Sequence, residues 1–464
     1  MTEITPKASS IEGTPPIGRL GLRPLFAVSI GVVVAQQAMV SLLQGMGIGG
    51  WGFVAALLIA FAIALANAMA YAEMALMIPS AGSLSSYAEI ALGNFPAILL
   101  VFAGYVTPAL FGLPAELILA NEALRKAIPL AVPPYFWPFA IVSAFAFLNI
   151  IGTDVMARIQ TILSFSVLAF LIVTGLVATS GLAARPLAGG SAQALSALGT
   201  HCTTLGVIAL GFWVFVGSEF VTPLVREAKN PNRDLPRAMI GGLFCVLVAQ
   251  LLFGIGSAYV IPRDVLLSSA TPHLDYAVAA FGSRASVWVT LLAVTASCSL
   301  MNTALASLPR MLQGMAEKGQ VMPFLKYSHP RLGTPVLAIL FVSALPLVGL
   351  VWSGGDVSSI LPLLIAASVS WLLAYMLAQI SLIALRWRQP QLHRPFKVPG
   401  YPLIPILALA GMAFVIATSS PSPELTPVIV GYTGIVLGVF AVLGAVWVKC
   451  VMKRGLFEPT PAPH

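Results

Sequence analysis

The chain has 464 residues, of which 58% are hydrophobic and 9% charged, with a formal net charge of +8. Its mean hydropathy of +0.95, beside a charged fraction far under the roughly 25% of soluble domains, excludes a soluble globular protein. The positive balance calls for no nucleic acid, because anionic lipid on the cytoplasmic leaflet accounts for it.

Residues 1–24 are polar and carry Pro and Ser without a compact apolar run or a small-residue cleavage site, so they read as a cytoplasmic tail rather than a signal peptide. From residue 25 onward, apolar runs long enough for a hydrocarbon core of about 30 Å recur almost to the C-terminus. Splitting them at polar and Pro/Gly punctuation predicts about twelve transmembrane helices in an all-α polytopic membrane protein. The first repeat-like group runs 25–47, 51–77, 95–121, 134–152 and 158–180. A second runs 203–224, 237–261, 285–312, 334–353 and 357–386, and 401–419 and 426–449 follow. Residues 450–464 form a second cytoplasmic tail. With the N-terminus inside, only Arg125, Lys126, Arg185, Arg263 and Arg284 of the 24 Lys and Arg fall outside, which by the positive-inside rule puts both termini in the cytoplasm. Two mixed segments on that side, 78–94 and 314–330, are expected to lie along the interface.

The cysteines, Cys202, Cys245, Cys298 and Cys450, lack metal or disulfide spacing and are assigned to packing. No metal cluster, cofactor loop or nucleophile–base pair occurs within the spans, and the histidines, His201, His273, His329, His393 and His464, fall in loops or the tail. An enzyme is not expected.

Ionisable residues inside a membrane are costly and mark function. Glu73, near the cytoplasmic end of the second span, is expected to reach the interface or a loop cation. Glu116 follows Pro114 in the third span, where a bend turns it either into a vestibule or out to the headgroups. Glu219 lies in Phe-Trp-Val-Phe-Val-Gly-Ser-Glu-Phe-Val (212–221), close to the middle of the sixth span, after a Gly-Ser pair that weakens the helix. Gln36 and Gln37 stand in the middle of the first span. Irregular spots in the first helix of each five-helix group are the pattern of an inverted repeat, whose substrate binds between two broken helices. Interhelical hydrogen bonding is the other reading of the glutamines.

The loops carry more specific matches. Arg-Glu-Ala-Lys-Asn-Pro-Asn-Arg-Asp-Leu-Pro-Arg-Ala (226–238) resembles the signature loop of the amino acid–polyamine–organocation permease superfamily. Tyr71-Ala72-Glu73 with Pro79-Ser80-Ala81-Gly82, Leu148-Asn149-Ile150-Ile151-Gly152, Pro309-Arg310, Pro330-Arg331-Leu332-Gly333-Thr334-Pro335 and Arg394-Pro395-Phe396-Lys397-Val398-Pro399-Gly400 resemble its other loops, in order. The resemblance implies a LeuT-like 5+5 inverted-repeat core over 25–400, with repeats at 25–180 and 203–386 and two peripheral helices at 401–449. It implies a permease that moves an amino acid across a plasma (inner) membrane by alternating access. The substrate would lie on unwound backbone at Val34, Ala35, Gln36, Gln37, Ala38 and Met39, and at Phe215, Val216, Gly217, Ser218 and Glu219. Half-helix N-terminal amides there favour an anion and C-terminal carbonyls a cation.

Two departures qualify that expectation. No Gly lies between residues 32 and 44, so the first break has less freedom to unwind, and the glutamine amides are candidates to replace backbone contacts. A permease for an amine without a carboxylate, of ethanolamine or polyamine type, is therefore the alternative to an amino acid. In the fifth helix Gln160-Thr161-Ile162-Leu163-Ser164 offers no cation where some proton-coupled members carry Lys. Proton coupling through Glu219 or Glu116 is favoured; sodium held by Thr295 and Ser299 of the eighth helix, or exchange without an ion, stays open. Trp213 and Phe215 bracket the sixth-span break as gate candidates, and Tyr105, Thr107, Ser297 and Asn302 face it if the family geometry holds. A non-transporting nutrient sensor of the same fold is a further class.

Overall fold

Runs that are apolar all round bury by packing helix on helix. The computed structural model describes residues 18–80, 82–184, 207–356, 360–419 and 426–461. Arg185, His201, Cys202, His464 and most of the N-terminal tail lie outside the described residues. Among those described the regular structure is helical, apart from one parallel bridge between Leu20 and Ala228. The chain order is α1 (Leu22–Gly31), α2 (Gln36–Gly49), α3 (Trp51–Met77), α4 (Leu84–Leu92), α5 (Asn94–Val101), α6 (Thr107–Ala127), α7 (Phe136–Ile151) and α8 (Thr153–Thr179). After α9 (Ile208–Trp213) and a 3₁₀ helix over Ser218–Glu227 come α10 (Pro231–Val260), α11 (Arg263–Ser268), α12 (Pro272–Phe281) and α13 (Ser286–Glu317). The last four are α14 (Val336–Trp352), α15 (Ile360–Arg388), α16 (Leu403–Ala417) and α17 (Thr426–Val446).

Every predicted run coincides with helix, but the runs are not equal. Among the described residues, 8 helices are long and apolar enough to cross a membrane, or 9 when α1 and α2, bent by 57° at their break, count as one. The helices at the fourth, ninth and eleventh predicted runs, α7, α14 and α16, are shorter apolar elements. Proline and glycine at their ends set that length: Gly152 has φ +153 after α7, and Pro335 and Pro402 precede α14 and α16.

α5 and α6 join through a π-helical turn at Phe102–Val106. Pro108 lacks the N–H that a regular helix would direct at Gly104, and the Thr107 hydroxyl donates instead to the Phe102 carbonyl at 2.9 Å. The extra residue rotates Tyr105 toward the sixth span.

The face that carries both described chain ends is tied by polar contacts. Leu20 N–H donates to the Glu227 carbonyl and Lys229 N–H to the Leu20 carbonyl, each at 2.8 Å. Glu73 is fully buried there, in a bidentate pair with Arg386 (2.8 and 2.5 Å) of the last turn of α15 and beside the loop residue Arg394 at 3.5 Å, so its main partner is a helix-end cation and a loop cation stands second. The segment 78–94 departs from the interfacial placement: Leu84 to Ala91 of α4 are buried. Lys318 pairs with Glu89 at 2.6 Å, and a returning C-terminal segment lies against α4 and the start of α5, with Thr460 N–H donating to the Glu89 carbonyl at 3.3 Å and Phe95 N–H to the Leu456 carbonyl at 3.1 Å.

Candidate functional site

The two breaks face each other. α1 ends at Gly31, a turn carries Val32 to Val34, and α2 restarts at Gln36 after an extended Ala35. On the other side the chain turns between Trp213 and Gly217, whose φ of +117 is left-handed, and continues as 3₁₀ helix. A Cβ on Gly217 would lie 2.4 Å from Val32 Cγ1, so contact between the breaks and the backbone angle both demand glycine.

Restarting a helix inside a packed bundle exposes unpaired N–H groups. Glu116 of α6 satisfies them: the N–H groups of Gln36 and Gln37 donate to its Oε1 and Oε2 at 2.9 and 3.0 Å. Its residual capacity is met by the Ser297 hydroxyl at 2.6 Å. Glu116 is 1% exposed, so its side chain turns neither to a vestibule nor to headgroups but onto the N-terminus of α2.

From this carboxylate the hydrogen-bond directions follow in sequence. Ser297 donates to Glu116 and so accepts from Gln36 Nε2 at 2.7 Å, which leaves Gln36 Oε1 to accept from His273 Nε2 at 2.8 Å. His273 is therefore the Nε2–H tautomer; its Nδ1 is buried without a partner. Burial, with the nearby Lys126 charge adding to it, pushes the ring's pKa down to about 3. His273, read in the sequence as a loop residue, belongs to the site through α12.

The two glutamines have different roles. The Gln36 side chain is spent on Ser297 and His273. Gln37 Nε2 donates to the Gly112 carbonyl at 2.5 Å, and its Oε1 is buried without a partner. Gln37 lines a cavity of about 30 Å³ together with Val32, Ala35 and Val216 of the breaks and Leu300, Ala304 and Leu308 of α13. The aromatic residues Tyr105, Trp213, Phe220 and Trp371 complete its lining. A second cavity of about 400 Å³, lined by Ser41, Gln44, Leu210, Leu364 and Ser368, shares Trp213 with the first. Trp213 thus stands between the two spaces. Phe215 lines neither cavity and packs edge-on against Phe61, with ring centroids 5.5 Å apart.

Glu219, in the first turn of the 3₁₀ helix, is 1% exposed. Its Oε1 accepts from Tyr105 at 3.1 Å and from Trp371 Nε1 at 3.2 Å, and its Oε2 from Tyr375 at 2.5 Å. The Tyr375 hydroxyl also accepts from Gly217 N–H at 3.1 Å, which ties the break to α15. Sequence reasoning missed Trp371 and Tyr375. Their spacing of four puts two polar-tipped rings on one helix face, a signal diluted by many other aromatics. Val34, Ala38 and Met39 are buried in the core, and Ser218 is buried beside Glu219.

The coupling candidates separate. Ser299 donates to the Gly31 carbonyl at the end of α1 (3.1 Å) and accepts from Gln160 Nε2 (2.8 Å), while Ser164 donates to the Ala27 carbonyl at 2.8 Å. Neutral donors therefore serve the carbonyl end of α1. Asn302 Nδ2 in turn donates to Gln160 Oε1 at 2.8 Å. Thr295 does not join them; its hydroxyl donates to Leu292 within its own helix at 2.5 Å.

The profile of a family described as amino acid permease matches residues 20–445. The branched-chain amino acid permease of Bacillus subtilis is 27% identical over 427 residues, covering 86% of this chain and 87% of its own. The serine/threonine exchanger of the same organism is 26% identical, over 77% of this chain and 80% of its own. Among solved structures, a manganese transporter from Eremococcus coleocola aligns with a TM-score of 0.60 at 14% identity, over 97% of this chain and 98% of that one. A nucleobase-cation-symport-1 family transporter, in a closed conformation with bromovinylhydantoin bound, aligns with a TM-score of 0.55 at 15% identity, over 96% and 95%. These likenesses establish a LeuT-like transporter fold.

Proposed function

The chain belongs to the amino acid permease family, and from that premise we propose a secondary active permease that carries an amino acid or a related amine by alternating access. The observation that carries this reading is the contact of two helix breaks, at Val32 and Gly217, beside a small cavity. Broken helices bring backbone polar groups, a half-helix dipole and the side chains that serve them to one point inside the bundle, which suits a polar solute that must be bound and released. Trp213 acts as the gate between the central cavity and the larger one. Within this reading 25–400 is the transport core, built from repeats at 25–180 and 203–386, and 401–449 is peripheral. The membrane is the plasma (inner) membrane, with both termini cytoplasmic by the loop charges.

Coupling to protons fits the chemistry better than coupling to sodium. Glu219 is buried among three hydrogen-bond donors and has no Lys or Arg ion-pair partner among the described residues. The α1 carbonyl end is served by neutral Ser299, Ser164 and Gln160. The test is uptake by proteoliposomes of radiolabelled amino acids and amines, with an inward proton gradient and with sodium exchanged for potassium. Accumulation should require the gradient, persist in potassium, show counterflow, and fall at least tenfold in Glu219→Gln. Absence of saturable accumulation for every solute would refute a permease.

A further inference from the structure

We propose that Glu116 supplies from the protein the carboxylate that an amino acid would bring, so the site takes a small organic amine without a carboxylate. This rests on the permease reading and narrows its substrate class.

A half-helix N-terminus inside the bundle is an anion site, with roughly half a positive charge and two N–H groups directed at one point. Here that site is filled. Both oxygens of Glu116 are held by Gln36 and Gln37 N–H, and Ser297 adds a third donor. A substrate carboxylate would have to displace Glu116, leaving a buried carboxylate without its donors, or lie against it as a like charge. Either outcome opposes binding.

The adjoining cavity asks for a donor instead. Gly112 O can only accept, which fixes Gln37 Nε2 toward it and directs Oε1 away. That oxygen is an unpartnered acceptor on a side chain only 1% exposed. Tyr105, Trp213, Phe220 and Trp371 present aromatic surface to the same space, and aromatic faces attract ammonium groups. Glu219 lies behind Tyr105 and Trp371, bonded to both. Among the described residues no Lys or Arg lines the cavity. An amine hydrogen-bonded to Gln37 Oε1 and enclosed by the rings uses each of these features; a second carboxylate uses none.

Matched pairs test the idea: serine with ethanolamine, leucine with 3-methylbutylamine, phenylalanine with phenethylamine. Binding is read by ligand-induced thermal stabilisation of the purified full chain and transport by proteoliposome uptake. The expected result is at least tenfold tighter binding of one or more amines than of the parent amino acid, with that preference lost in Glu116→Gln. Parent acids that bind as tightly as their amines overturn the proposal. If acids accumulate and amines do not, the permease reading stands and this inference falls. If no member of any pair binds or accumulates, both fall. The wild-type comparison decides even where the variant does not fold.

Discussion

Gln36 and Gln37 are neighbours with opposite consequences for substitution. Gln36 closes a buried chain from Glu116 through Ser297 to His273, so Gln36→Met strands the His273 N–H and a Ser297 acceptor. An unsatisfied buried polar group costs about 1–3 kcal/mol, and a lower melting temperature is expected. The Gln37 side chain donates to Gly112 O and leaves Oε1 without a partner beside the cavity that Gln37 lines. Gln37→Met, which removes one donor where Gln36→Met breaks a chain of three, should therefore lower the melting temperature less than Gln36→Met while weakening amine binding at least tenfold. Thermal unfolding with and without amine separates the two; equal destabilisation by both would refute the division of labour. The sequence marked the pair as important, but which amide faces the cavity depends on the rotation of α2, and that is set by packing.

At the scale of elements, α12 reaches the first break through His273, which binds that break to a helix outside the long apolar spans. Its ring is neutral in the fold, with the pKa pushed down to about 3 by burial and the Lys126 charge; Asp275 of the same helix is turned to the Ser269 hydroxyl at 2.5 Å. The sign follows from linkage. An unfolded histidine takes up its proton below about pH 6.5 while the folded one does not, so stability falls as pH drops from about 6.5 toward about 3. Each pH unit in that window corresponds to roughly 1.4 kcal/mol, a loss of ~2–3 kcal/mol between pH 6.5 and 4.5. His273→Gln should flatten this part of the stability profile, measured by denaturation at closely spaced pH values; an unchanged slope would refute a neutral buried ring. Nothing local in Thr271 to Asp275 announces this role, because the partner lies more than two hundred residues away in the chain. Gly217 was more legible: a Gly-Ser pair beside a carboxylate in an apolar run is itself a local conflict. The first break has no glycine: the sequence marked it only by two amides in an apolar run, and their reading as a break came from the correspondence to the sixth span and the family resemblance.

For the whole molecule, alternating access requires one face to part while the other closes. The face with both described chain ends is held by the Leu20 bridge to Ala228 and by Arg310 of α13, which pairs with Glu227 at 3.2 Å and donates to Thr153 Oγ1 at 2.7 Å and to the Ala306 carbonyl. Glu227 ends the 3₁₀ helix and Thr153 begins α8, so one guanidinium joins three elements. The helical architecture was readable because each crossing needs about 20 apolar residues; the latch was readable only as a Pro-Arg motif, since its partners come from distant segments. Removing one partner of a partly buried ion pair leaves the other charge poorly compensated. Arg310→Gln should accordingly shift the population toward a state open at this face. The readout is a single cysteine in place of Leu308, which lines the central cavity, in a chain whose four native cysteines are replaced. Thiol labelling from the side of the termini should rise severalfold with Arg310→Gln and fall again with bound amine if that ligand favours the closed cavity. Labelling that stays at the level of the unaltered latch would mean that this face is held shut by packing alone.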